Sequence, residues 1–397
     1  MGACIRSHRF KRGVPREGCH RGSSNPMDRK RTPIYSMKPI HWILCLIMNA
    51  GFSAEHTQAA SEPESFHRFS MRHFGRMEDG TAIHQISLRN RHGMEVRAIS
   101  YGATLTAIDL PRENAEPINV IAGEETLPAY LKGYPAASVI GRFANRIAGA
   151  SFQLDGVTHK VTQNAGSHHI HGGRKGFARV VWQVEPLPLS DTSAAVRWHY
   201  HAKDGEEGFP GNLDVRVTYR LDDNNALSIT YEATSDKATP VNFTNHAYFN
   251  LADQGGFENH LLTLYADTYT LADSELIPTG KIGQVKGTAL DFNQPHPIGE
   301  RADATQPRPH LYDHNYIIRG GGHSVVPTAL VKEPTSGRIM RVQTDQPGVQ
   351  LYTGNPRGFC LETQHYPDSV HHSSFPTTIL RPEERFESTT IYAFEFQ

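Results

Sequence analysis

Residues 215–232 carry the most restrictive pattern in this chain. Val215, Val217, Tyr219 and Leu221 alternate with Arg216, Thr218 and Arg220. Asp222-Asp223-Asn224-Asn225 then breaks the run, and Leu227, Ile229 and Tyr231 resume it with Ser228, Thr230 and Glu232 between them. Successive strand side chains point to opposite faces, so this is an antiparallel hairpin with one buried face. The same period of two recurs at 81–88, 95–100, 103–110, 260–265, 329–333, 339–344, 349–352 and 389–396. A turn is expected at Asn90-Arg91-His92-Gly93, and a hairpin over 151–160 with Asp155-Gly156 at its tip. Helical periodicity is confined to a turn or two at 127–132. With 34 Gly and 25 Pro for turns, and 18 Phe, 15 Tyr and 3 Trp for a core, the reading is all-β. No repeat, linker or charge block divides residues 65–397, which are expected to form one large antiparallel β-sandwich.

Residues 1–60 read differently. A basic stretch with Arg6, Arg9, Lys11, Arg12, Arg16, Arg21, Arg29, Lys30 and Arg31 precedes the apolar run at 40–48, and small residues follow it. That is the order of a secretory signal, and the run is too short to span a bilayer. Met37-Lys38 resembles a signal-peptide start. Cleavage near residues 53–60 is expected, with a periplasmic or secreted product and no stable membrane association. An uncleaved anchor is the alternative. Cys4, Cys19 and Cys45 fall in this leader, leaving Cys360 and no internal disulfide. A net charge of −1 argues against nucleic acid as a partner.

Five stretches fit poorly into ordinary sandwich strands. Glu362 stands alone in the apolar run Phe359-Cys360-Leu361-Glu362; a buried glutamate is rare unless paired or working, and an apolar wall makes it a good base. On a strand Cys360 shares its side, more naturally as a small buried neighbour than as a nucleophile. Asn145-Arg146 lies between small residues and glycines. His168-His169-Ile170-His171 precedes Gly172-Gly173, and in extended geometry His169 and His171 share a face. That is a metal-ligand spacing, but no second cluster completes a site, so no metal is expected. The paired glycines imply close backbone approach. His246 sits among Phe243, Tyr248 and Phe249, either as a core histidine or as an acid near neutral pH, and Asp313 in Tyr312-Asp313-His314-Asn315-Tyr316 could accept hydroxyl hydrogens.

Six motifs in order, Gly141-Arg-Phe-Ala-Asn-Arg-Ile, His171-Gly-Gly with Gly176-Phe177, Thr244-Asn-His-Ala-Tyr-Phe-Asn-Leu, Tyr312-Asp-His-Asn-Tyr, Gln350-Leu-Tyr-Thr-Gly-Asn355 and Gly358-Phe-Cys-Leu-Glu-Thr-Gln, resemble the aldose 1-epimerase (galactose mutarotase) family from about residue 70 onward. The resemblance implies a galactose mutarotase-like supersandwich. It implies no metal or organic cofactor, and a monosaccharide substrate of the glucose and galactose type on a monomer or weak dimer. It assigns Glu362 as general base and His246 as general acid. His171 and Arg146 would hold the sugar, Asp313 would bind hydroxyls, and Asn145 and Gln350 would make further contacts. One departure is the short link Pro356-Arg357 between Asn355 and Gly358, where family members usually carry a longer loop.

Anomerisation asks little more than this. A base takes the C1 hydroxyl proton and an acid protonates the ring oxygen; the carbonyl turns and the ring recloses. At ordinary values a carboxylate is ionised at pH 7 and an imidazole can give up a proton. The rivals are a carbohydrate-binding module, which would not need the Glu/His pair, and a glycoside hydrolase, which needs two carboxylates. A phosphosugar epimerase would need a further basic cluster, and none stands near the motifs.

Overall fold

The computed structural model describes residues 66–134, 136–308 and 310–396. The expected leader, with Cys4, Cys19 and Cys45, lies outside them. Strands Leu213–Asp222 and Ala226–Ser235 pair with Val215, Val217, Tyr219 and Leu221 opposite Ala233, Tyr231, Ile229 and Leu227, and all eight are buried. They form the middle of a nine-stranded sheet in which every pairing is antiparallel. Ser193–Ala202 and Gln183–Pro186 extend it on one side; Phe386–Glu395, Ile339–Thr344, Val326–Lys332, Leu261–Leu264 and His296–Pro297 extend it on the other.

Two five-stranded sheets pack into the same core. One runs from Phe69–Arg76 to Ala115–Asn119 in chain order. The other is ordered Pro278–Gln284, Thr268–Ala272, Asp313–Ile317, Gly348–Asn355 and Gly358–Gln364. Ile86 and Leu105 of the first, Val217 and Tyr231 of the nine-stranded sheet, and Tyr316, Leu351 and Leu361 of the second belong to one continuous apolar cluster. Helix Leu127–Lys132 is the only α-helix among the described residues. The hairpin tip Asp155-Gly156 has φ of 50° and 81°, as a type I′ turn requires.

The second five-stranded sheet carries the polar groups, and its register explains why. Asp313 lies opposite Tyr352 and Tyr352 opposite Cys360; Asn315 lies opposite Gln350 and Gln350 opposite Glu362. Cross-strand partners share a face, as do residues two apart. Asp313, Asn315, Gln350, Tyr352, Cys360 and Glu362 therefore stand on one face, while Leu351 and Leu361 turn to the core. A slip of one residue would send all six into the apolar cluster.

Candidate active site

Glu362 sits on a strand buried along its whole length, Gly358–Gln364. His246 reaches it from the segment after Thr244–Asn245. That segment is drawn against the strand where Phe249 and Phe359 exchange backbone hydrogen bonds of 2.7 and 3.1 Å. Gly358 permits the approach, because a Cβ there would meet the Phe249 carbonyl oxygen at 2.7 Å. His246 Nε2 then lies 3.6 Å from Glu362 Oε1, and His246 Nδ1 lies 3.3 Å from Cys360 Sγ. Cys360 is fully buried and its thiol is pushed well up by burial, so it is a neutral neighbour of the histidine.

His171 and Asn145 lock each other. Asn145 N–H donates to His171 Nδ1 at 3.2 Å, and His171 N–H donates to the Asn145 carbonyl at 3.1 Å. Both residues are left-handed, with φ of 60° and 50°. The turn at His171 ends strand His169–Ile170, so the expected sharing of a face by His169 and His171 does not hold. His169 packs edge-on against Phe209, 5.2 Å away, and bonds to the Thr162 carbonyl oxygen. The close approach expected at the paired glycines is to the chain itself: a Cβ on Gly172 would stand 1.7 Å from the Gly141 carbonyl oxygen.

Of the two arginines in the Gly141 motif, Arg142 is structural, buried and bonded to the Pro210 and Gly211 carbonyls. Arg146 faces the pocket, its Nη2 3.7 Å from Asp313 Oδ2. Its backbone is fixed by Asp368, whose N–H donates to the Arg146 carbonyl and whose carboxylate accepts from Ala148 N–H, each at 2.9 Å.

Asn145, Arg146, His171, His246, Asp313 and Glu362 line one cavity of about 550 Å³, a volume typical of small-molecule sites. Gln350 stands behind it: its amide donates to Asp313 Oδ1 at 2.6 Å. The cavity also takes in residues to which the sequence reading gave no role. Tyr134, Tyr248 and Tyr352 surround His246, with ring centroids 5.0 to 6.0 Å away. Arg174, Arg179 and Arg308 line the same cavity. The basic cluster that no motif displays is assembled from two separate stretches, one carrying Arg174 and Arg179 and the other Arg308.

The dryness changes the expected protonation. Burial pushes the Glu362 carboxyl well above the ordinary range; Asp313 adds to the rise and Arg146 opposes it. Burial pushes His246 down to about 4 and His171 well below its usual value. Across neutral pH the Glu362–His246 pair therefore holds one proton between two groups 3.6 Å apart, a property of the pair rather than of either member. His171, His246 and Glu362 also bring ligand-type atoms within 4.8 Å of one another. His171 Nδ1, however, is occupied by the Asn145 N–H, so its other nitrogen carries hydrogen and presents a donor. A metal there would have to displace that proton and break the bond to Asn145.

A family model described as aldose 1-epimerase matches residues 84–393. The galactose mutarotase of Homo sapiens is 40% identical over 322 residues, covering 76% of this chain and 91% of its own. The aldose 1-epimerase of Escherichia coli K12 is 35% identical over 338 residues, covering 80% and 96%. Among solved structures, a galactose 1-epimerase from Lactobacillus acidophilus NCFM superposes with a TM-score of 0.74 at 29% identity, covering 83% of this chain and 98% of that one.

Proposed function

The chain belongs to the aldose 1-epimerase family and interconverts the α and β anomers of free aldoses; we propose that it does so with Glu362 as general base and His246 as general acid, on sugars of the glucose and galactose type. The observation that carries the reading is the adjacency of these two side chains, 3.6 Å apart in one cavity. They are neighbours rather than opposite walls. The C1 hydroxyl and the ring oxygen are bonded to the same carbon, so two adjacent groups can reach both.

Reaction starts from the tautomer with the shared proton on His246, the less populated form, since burial favours Glu362 protonated and His246 neutral. Glu362 takes the C1 hydroxyl proton as His246 gives its own to the ring oxygen, and the C1–O5 bond breaks. The pair again holds one proton, now on Glu362, which burial favours. Rotation about C1–C2 and reversal of the transfers yields the other anomer and restores the enzyme. Arg146 and the Nε2–H of His171 donate to the sugar. Asp313, steadied by Gln350 and Arg146, accepts from hydroxyls; Asn145 fixes His171. Glu362 Oε2, buried without a hydrogen-bond partner among the described residues, gains one from a substrate hydroxyl.

A carbohydrate-binding module has no use for a dry Glu/His pair. A glycoside hydrolase would need Asp313 free as second carboxylate, yet it is held by Gln350 at 2.6 Å. Polarimetry on fresh α-galactose tests the function: an acceleration abolished by Glu362→Gln supports it, and an unaltered spontaneous rate refutes it. The signal-like order of residues 1–60 supports a periplasmic or secreted product, and the proposed assembly state is a monomer or weak dimer; the mass of the mature chain tests the first and its sedimentation the second.

A further inference from the structure

Besides Arg146, three arginines line the sugar pocket. Among the described residues none of Arg174, Arg179 and Arg308 has a carboxylate within ion-pair distance. Arg174 gives one guanidinium N–H to the Gln163 carbonyl at 3.0 Å. Arg179 lies 5.6 Å over the Tyr134 ring. Arg308 is exposed, on a loop held by Thr305, whose hydroxyl bonds to the carbonyls of Ala302 and Arg308 at 2.8 and 2.7 Å. Among the described residues the carboxyls that line the cavity are Asp313 and Glu362. Asp313 is already matched by Arg146 and Gln350, and Glu362 is the buried partner of His246. Hydroxyl groups do not need this surplus of positive charge, and such a surplus favours a ligand that brings its own negative charge.

The pocket has a direction. His171, His246 and Glu362 converge at its buried end, where C1 must sit, while Arg174 and Arg308 are exposed. The carbon farthest from C1 therefore points to the arginines. Building on the epimerase reading above, we propose that the preferred substrates are aldoses carrying an anionic group, a carboxylate or a phosphate monoester, on that remote carbon. Planar guanidiniums suit either group through paired N–H donors.

The test is anomer-exchange NMR on equilibrated glucose, glucuronate and glucose 6-phosphate, which follows α-to-β exchange without resolved anomers. At low ionic strength kcat/KM for at least one anionic sugar is expected to exceed that for glucose by about tenfold, as charge-assisted contacts at a half-open site allow. The advantage should shrink as salt screens it. In the double variant Arg174→Ala, Arg308→Ala the anionic-to-neutral ratio should fall toward one. A response to glucuronate alone identifies the group as carboxylate, and to glucose 6-phosphate alone as phosphate ester; either supports the proposal. Exchange of glucose with both anionic sugars equal or slower, at any salt, overturns it and leaves the epimerase reading standing. No exchange of any sugar overturns both.

Discussion

Replacing Glu362 by glutamine should separate activity from stability. The amide keeps the carboxylate's shape on a strand with no exposed residue, so no cavity opens. It cannot accept the C1 proton, and the other carboxyl lining the pocket, Asp313, is held by Arg146 at 3.7 Å and Gln350 at 2.6 Å. Loss of a positioned base costs about 10²–10⁴-fold, or about 2.7–5.4 kcal/mol of barrier. Anomer-exchange NMR or polarimetry should show that fall in kcat/KM. Stability should move the other way. Because burial holds the Glu362 carboxyl above its unfolded value, the native state binds more protons between the two, and wild-type stability falls as pH rises above about 4.3. The glutamine variant escapes that loss. Its melting temperature should exceed the wild type's at pH 7–8, and the gap should close below about pH 4. Activity within a fewfold of wild type, or a gap that widens toward acid, would refute the reasoning.

Three further outcomes follow from the same site. The pH profile of kcat/KM should be a broad bell: its acid limb, where the pair takes a second proton and the base is lost, lies near the His246 value of about 4, and its alkaline limb lies where the raised Glu362 carboxyl gives up the last one. A pair with ordinary values would instead lose rate steadily above about pH 6.5, so initial rates between pH 7 and 8 decide. Asp313→Asn should raise KM and, by removing a charge that raises Glu362, move the alkaline limb to lower pH; an unmoved limb in the same titration would contradict it. Cys360→Ala should lower kcat by about two- to tenfold with little change in KM, the worth of one hydrogen bond steadying His246 Nδ1, and steady-state kinetics will show an equal fall in affinity if the thiol merely fills space.

The groups legible in the sequence were those whose surroundings contradict them. Glu362 in an apolar run, His246 among aromatics and Asp313 between tyrosines each stand out, because a strand that buries one face makes a polar residue on it anomalous. The hairpin at 215–231 was legible for the converse reason, a strict alternation. Ser193–Ala202 was not: its first four residues are all buried, so both faces are covered and the alternation disappears. Tyr134 and Arg308 come singly from loops, and Arg179 ends the single turn Phe177–Arg179, where nothing local separates a pocket residue from a surface one. His171 was found, but its pairing with His169 was misread, since extended geometry stops at a left-handed residue that no periodicity reveals. Gln350 was taken for a sugar contact, and only strand register puts it behind Asp313.

The most direct measurement is the structure of the Glu362→Gln variant soaked with galactose, in which the sugar cannot turn over. The account predicts the C1 hydroxyl within about 2.6–3.2 Å of the residue 362 side chain and the ring oxygen within the same reach of His246 Nε2, with the remote carbon toward Arg308. A sugar bound with C1 among the arginines, and neither oxygen near residue 362 or His246, would contradict it.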